Sequence, residues 1–176
     1  MKKYNKYIYF SFLPSYEGVK VRLTDLGLGY DINIAKKDLL KFLSKYAYGI
    51  DKETLEINVS KLIKNNRFKL SVAESCSGGF ISKKITDIPG SSDFFLGGIV
   101  AYDNAIKHTI LGISNYKLKK FGAVSKQVSE SMALNISNKF NSDIAISCTG
   151  ISGPEGGSKD KPIGTVYISI KYLDRL

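Results

Sequence analysis

One histidine, two cysteines and three arginines are all that this chain of 176 residues holds of those types, and each scarcity removes a class of function. His108, with Cys76 and Cys148 far apart in sequence, offers no ligand spacing for a bound metal. Any Ser-His-Asp triad would rest on that one imidazole. Two cysteines are too few for a disulfide framework, which points to a reducing, cytoplasmic setting. The opening MKKYNKYIYFSFLP has a basic prefix, but tyrosine, serine and proline interrupt its apolar stretch. No small-residue cleavage site follows, so it does not read as a secretory signal. No run approaches the roughly 18 apolar residues of a membrane span. Acidic residues are also short: the formal charge is +10, and residues 1–50 carry 9 Lys/Arg against 4 Asp/Glu, while residues 51–100 carry 7 against 6. The excess is scattered lysine, with arginine only at Arg22, Arg67 and Arg175. It reads as a Lys/Ile/Asn-rich composition, and nucleic acid is not the expected partner.

What is present is an ordinary globular composition with alternating strand and helix patterns. Residues 7–13 read as a strand, 14–18 as a Pro/Gly turn, and 19–24 as a second, half-buried strand with Val19, Val21 and Leu23 on one face. A helix is predicted over 33–48. This hairpin and helix form a small α+β appendage, 1–49, with the joint at 49–51. The main domain, 50–176, begins with a helix over 54–65, with Asp51 as its expected cap. A strand follows at 68–73 and a helix over 79–88, with Phe80, Ile81, Ile85 and Ile88 on one face. Pro89-Gly90 ends that helix. Strands are predicted at 97–102, 143–148 and 165–172. Helices are predicted at 104–110, capped by Asp103 or Asn104, and after Ser125, with Val128, Met132, Ile136 and Phe140 on the core face. The alternation implies a layered α/β domain.

Three predicted strand exits are rich in glycine and small polar residues: 74–79, 97–107 and 148–157. Ligands of open α/β sheets bind at such exits, so one shared pocket is expected. At the first exit, Ser75, Cys76 and Ser77 compete for the role of nucleophile, and the helix that follows aims free amides at an anion or oxyanion. Adjacent residues point different ways, so only one of Ser75 and Cys76 is expected to face the pocket. A serine nucleophile needs a base. Lys107, five residues beyond Tyr102, suits that role if desolvated, because burial favours the neutral amine. Tyr102 is placed to relay the proton or to hydrogen-bond an oxyanion, and His108 reads as a surface or structural histidine. The loop 149–157 lacks the Gly-Lys-Ser/Thr ending of a P-loop, yet its amides and hydroxyls suit a phosphate.

Five blocks then align with a known family. They are Ala73-Glu74-Ser75-Cys76-Ser77-Gly78-Gly79, Thr86-Asp87-Ile88-Pro89-Gly90-Ser91-Ser92, Gly98-Ile99-Val100-Ala101-Tyr102-Asp103-Asn104-Ala105-Ile106-Lys107, Gly122-Ala123-Val124-Ser125, and Thr149-Gly150-Ile151-Ser152-Gly153-Pro154-Glu155-Gly156-Gly157-Ser158. In that order, over about 52–172, they resemble the C-terminal domain of the competence/damage-inducible CinA proteins, a family that includes nicotinamide-nucleotide amidases. Leu13-Pro14-Ser15 and residues 18–24 resemble the segment preceding that domain in long CinA chains. The resemblance implies an α/β/α layered domain, shortened after its last strand. It also implies an amidase converting nicotinamide mononucleotide to nicotinate mononucleotide and ammonia. Ser75 would be the nucleophile, Lys107 the base and Tyr102 an assistant. Cys76, Ser77, Gly78, Gly79, Thr149, Gly150, Ser152, Gly153 and Gly157 would form the substrate site. Ser77 stands where the family more often has threonine, and Asp103-Asn104-Ala105 replaces the usual Ser-Asn-Glu. No metal or cofactor is required; the expected partners are a small nucleotide and further copies of the chain. The competing expectation is a non-catalytic competence- or damage-associated protein that binds a partner or nucleic acid.

Overall fold

The computed structural model describes residues 2–176. The chain forms two compact units, one running to Asn58 and the other Val59–Leu176.

The first unit is the expected hairpin and helix with shifted ends. β1 (Ile8–Ser15) pairs antiparallel with β2 (Gly18–Asp25), Ile8 opposite Asp25 and Ser15 opposite Gly18. The predicted five-residue turn shrinks to Tyr16-Glu17, because Pro14 stays in the strand opposite Val19. The Ser15 hydroxyl accepts the Glu17 amide at 3.2 Å and donates to the Gly18 carbonyl at 3.2 Å, closing the turn locally. The expected burial of Val19 fails: it is 61% exposed. α1 (Ile32–Phe42) is capped by Asp31, which accepts the Asn33 amide at 2.8 Å. It stops six residues before the predicted end, and the Tyr48 hydroxyl donates instead to the Glu17 carbonyl at the hairpin turn. Tyr4, Ile8 and Ala35 are buried, and Tyr7 stacks on Tyr30 beside them.

α2 (Leu55–Asn65) carries the division between the units. Its first turn is held by Thr54, whose hydroxyl accepts the Ile57 amide at 3.3 Å. Asp51, the predicted cap, lies too early and pairs with Lys36 at 2.9 Å.

The second unit is a four-stranded sheet in the order β4-β3-β5-β6. β3 (Leu70–Glu74) lies parallel to β4 (Phe95–Val100) and to β5 (Ile144–Gly150), and β6 (Val166–Tyr172) is antiparallel to β5. Every residue of β3 is buried, as expected of a central parallel strand covered on both faces. α3 (Phe80–Thr86) packs on β3 and β4. There Ile85 joins Ile63, Leu70, Phe94, Ile144 and Ile146, while Phe80 is exposed and leaves the predicted apolar face. α4 (Asn104–Thr109) and α5 (Asn115–Phe121) follow β4 and lead to α6 (Lys126–Phe140).

α6 covers the other face. Val128, Met132 and Ile136 are fully buried against Ala73 and Ala145, with Phe140 partly so. Ser129 adds a polar tie, its hydroxyl 3.0 Å from that of Ser147 and 2.8 Å from that of Ser169. β6 alternates as predicted, with Ser169 toward α6, but its apolar set Val166, Ile168 and Ile170 is 48%, 63% and 56% exposed. Two helical layers around a mostly parallel sheet make this an α/β/α fold. No helix among the described residues is long and apolar enough to cross a membrane.

Candidate active site

The parallel strands β3, β4 and β5 release their chains on one edge of the sheet, and a cleft of about 280 Å³ opens there. All three predicted exits contribute: Ser75 and Cys76 from the first, Tyr102, Asn104 and Lys107 from the second, and Thr149 to Gly153 from the third.

Glu74, the last residue of β3, organises the first exit. Its buried carboxylate accepts the amides of Gly79 (3.1 Å), Ile81 (3.0 Å) and Ser82 (2.8 Å) and the Ser82 hydroxyl (2.6 Å). Burial works to raise its pKa, but the hydrogen bonds from the Ser82 hydroxyl and the Ser82 amide lead those that win and hold the carboxyl below its ordinary value. These amides were the predicted anion site, and the protein's own carboxylate occupies them. Gly98 makes this possible on the neighbouring strand, since a Cβ there would lie 2.5 Å from the Ser82 hydroxyl. The turn passes through Gly78 (φ 60°) and Gly79 (φ 100°), a left-handed path that suits glycine. The amides of Cys76 and Ser77 find no acceptor among the described residues. The Ser77 hydroxyl is buried and likewise unpartnered among them.

Lys107 is the other fixed point. α4 is capped by Asp103, which accepts the Ala105 amide at 2.6 Å and so sets the helix that carries the lysine inward. Its side chain is 2% exposed. Nζ lies 3.0 Å from Ser75 Oγ, 2.8 Å from the Ala101 carbonyl and 3.0 Å from the Tyr102 carbonyl. Two carbonyls and one hydroxyl take up the three N–H groups of the ammonium; in the neutral amine two N–H groups would serve the carbonyls and the lone pair would be free to accept the Ser75 proton. Burial pushes the lysine pKa down, against the opposing pull of Asp103 and Cys76. Ser75 itself is fixed by its amide, which donates to the Cys148 carbonyl at 2.9 Å.

Other predicted residues fall differently. Tyr102 meets the lysine through its carbonyl, and its ring is 75% exposed at the cleft. Ser75 and Cys76 both line the cleft, against the expectation that only one would, because the turn after β3 runs along the cleft wall and presents both residues to it. Ser77, Gly78, Gly79 and Gly157 do not line it; Asn104, Ala123, Val124, Ile151, Glu155 and Gly156 do. Asn104 lies in the second predicted exit, Ile151, Glu155 and Gly156 lie in the third, and Ala123 and Val124 lie in the fourth family block, but none was singled out as a site residue. His108 is an exposed residue outside the cleft, its Nδ1 2.8 Å from the Ile113 carbonyl, in line with a surface or structural role.

The family model for the CinA C-terminal domain matches residues 52–175. The chain belongs to the CinA C-terminal domain family. A CinA-like protein of Prochlorococcus marinus subsp. pastoris is 45% identical over 157 residues, covering 86% of this chain and 36% of that protein. One from Pseudothermotoga lettingae is 42% identical over 167 residues, covering 92% and 41%. The chain therefore spans little more than a third of the length of these CinA-like relatives. Among solved structures, the competence/damage inducible protein CihA from Agrobacterium tumefaciens is 36% identical with a TM-score of 0.67, covering 69% of this chain and 74% of that one. A CinA superfamily protein from Escherichia coli is 28% identical with a TM-score of 0.66, covering 84% and 82%. In this CinA domain four of the five sequence blocks contribute residues to the cleft, whereas the block at 86–92 lies between the end of α3 and the start of β4.

Proposed function

We propose that the chain is a serine amidase that hydrolyses the carboxamide of nicotinamide mononucleotide to nicotinate mononucleotide and ammonia. The observation that carries the reading is the buried Ser75–Lys107 contact, 3.0 Å long, with the lysine's other two contacts made to neutral carbonyls. A surface lysine has no reason to be held this way, whereas a general base does.

In this reaction the Lys107 amine takes the Ser75 proton as Oγ attacks the carboxamide carbon. The oxyanion that forms is received by the amides of Cys76 and Ser77. The Lys107 ammonium returns its proton to the departing nitrogen, ammonia leaves, and the acyl group remains as an ester on Ser75. Water, deprotonated by the same amine, then attacks the ester and regenerates the serine. Asn104, Thr149 and Ser152 offer polar contacts to the nucleotide, and the exposed Tyr102 ring offers a flat face to the pyridine.

Ammonia release from nicotinamide mononucleotide tests this directly. The parent releases ammonia, and Ser75→Ala and Lys107→Ala each lose at least about 1,000-fold in kcat/KM. A Ser75→Ala protein as fast as the parent would overturn the assignment of the nucleophile. No ammonia from a folded parent would turn the reading to the partner-binding alternative.

A further inference from the structure

The sulfurs of Cys76 and Cys148 lie 3.4 Å apart as free thiols, and the amidase reaction uses neither. The fold brings them together. Cys148 stands on β5 opposite Glu74, and Cys76 lies two residues beyond Glu74 in the turn. The Ser75 amide, between them, is bonded to the Cys148 carbonyl. Gly150 leaves the space, since a Cβ there would lie 3.0 Å from Cys76 Sγ. The two thiols differ in access: Cys76 lines the cleft and is half-buried, whereas Cys148 is 5% exposed behind it. A small oxidant entering the cleft meets Cys76 first.

We propose that Cys76 and Cys148 form a reversible dithiol–disulfide site for small hydroperoxides, and that closing it displaces the Ser75 turn and switches the amidase off. In the first step the Cys76 thiol loses its proton and its sulfur attacks one peroxide oxygen; the O–O bond breaks, Cys76 becomes a sulfenic acid, and the departing hydroxide takes up the thiol proton as water when the oxidant is hydrogen peroxide. In the second, the Cys148 sulfur attacks the Cys76 sulfur; hydroxide leaves and takes the Cys148 proton as a second water. Two electrons pass from the sulfur pair to the peroxide, and two equivalents of an external thiol restore the dithiol by exchange, leaving as their own disulfide. Burial, followed by the contact with Cys76, pushes the Cys148 thiol up to about 11, which agrees with Cys76 reacting first.

The geometric consequence follows from the distances. A disulfide of about 2.05 Å requires the sulfurs to close by roughly 1.3 Å. Cys76 directly follows the nucleophile and carries one of the two amides offered to the oxyanion. Its movement toward β5 therefore disturbs both the 3.0 Å Ser75–Lys107 contact and that amide. The disulfide stands on the geometry alone; the loss of activity rests on the amidase reading.

The test treats the full chain with hydrogen peroxide, blocks residual thiols, and maps peptides. A Cys76–Cys148 linked pair, two hydrogens lighter and released by dithiothreitol, is expected. In Cys148→Ser the reaction stops at a trappable sulfenic acid on Cys76. Hydrogen exchange over residues 75–79 changes in the oxidised parent, and ammonia release falls about 100-fold and returns on reduction. Independent oxidation of the two cysteines without a link overturns the site. A link that leaves both exchange at 75–79 and the rate unchanged overturns the switch. A reduced parent that releases no ammonia refutes the amidase reading, and the exchange measurement then decides the conformational part by itself.

Discussion

Two lysines in the CinA domain each bond a pair of main-chain carbonyls, and the fold makes them different things. Lys107, beyond β4, holds the carbonyls of Ala101 and Tyr102 and reaches Ser75 as its third partner, fully buried. Lys161, in the loop after β5, holds the carbonyls of Phe121 (3.0 Å) and Val124 (2.7 Å) while half-buried. Both grips satisfy backbone acceptors that the chain's turns leave open. Burial separates the two roles. Burial disfavours the Lys107 ammonium, as the proposed base requires; half-buried Lys161 is a strap that ties the loop bordering the cleft to residues 121–124. The same bonding pattern therefore does not define a role until the surroundings are counted.

Arginine tests this contrast most sharply. A guanidinium can still donate to carbonyls but does not give up its proton, so Lys107→Arg should lose at least about 1,000-fold in kcat/KM, as much as Lys107→Ala. Lys161→Arg should keep most of the rate, and both are read by ammonia release. An active Lys107→Arg would mean that the lysine is itself a strap. The pH dependence carries the same contrast. The lysine pKa is lowered from its ordinary value of 10.5, so the parent's kcat/KM should rise with pH and level off before the usual lysine range. Stability should also rise with pH between the lowered pKa and 10.5, because there the unfolded chain binds the proton that the folded chain has released. In Lys107→Met both trends should flatten, as melting temperatures across that window would show.

Glu74 is the acidic counterpart, a charge that collects donors where the lysines collect acceptors. Glu74→Ala leaves three amides and a hydroxyl without their acceptor and should cost roughly 2–4 kcal/mol in denaturant unfolding. Because its folded pKa is depressed, its contribution is complete above 4.5 and is lost as pH falls through the lower folded value. Acid unfolding of Glu74→Gln should therefore be the shallower. If Glu74→Ala unfolds like the parent, the carboxylate is not what fixes the Ser75 turn.

The sequence made the strand exits legible because glycine, serine and capping residues mark where strands turn into helices. Ser75 and Lys107 could be picked out there, and the helix caps Asp103 and Ser125 behave as predicted. Glu74 could not be read so easily. It looks like a flank of the serine turn, and only the folded chain shows its carboxylate curling back beneath the helix. That curl is why Gly78 and Gly79 serve the backbone path and not the cleft wall, and why the predicted anion site is already filled. Long-range partners escaped for the same reason. Ala123 and Val124 reach the cleft because Thr149 Oγ1 donates to the Ala123 carbonyl at 3.0 Å and Lys161 to that of Val124, contacts with no local pattern. In β6 the alternation was readable, but which face meets α6 depends on Ser129 reaching Ser169.

Removing the strap should weaken binding more than chemistry. Lys161→Met keeps the stem and loses two hydrogen bonds that tie the loop to residues 121–124. With about 1.4 kcal/mol per decade, KM for nicotinamide mononucleotide should rise roughly tenfold while kcat changes little. An equal fall in kcat would make this lysine part of the catalytic arrangement and erase the distinction from Lys107.

Tyr102 gives the smallest effect and the finest division. The sequence offered its hydroxyl as a proton relay, but the lysine holds its carbonyl, and no hydrogen bond joins its phenol to Ser75 or Lys107 among the described residues. Tyr102→Phe keeps both the carbonyl and the ring face, so kcat/KM should fall by less than about threefold, under the roughly 1 kcal/mol expected of a lost neutral hydrogen bond. Tyr102→Ala also keeps the carbonyl but removes the ring, and should raise KM with kcat nearly unchanged. A large loss of kcat in Tyr102→Phe would instead place the phenol at the reacting atoms once substrate is bound. The dyad would then need a third side chain, whereas two carbonyls and a buried amine are otherwise enough.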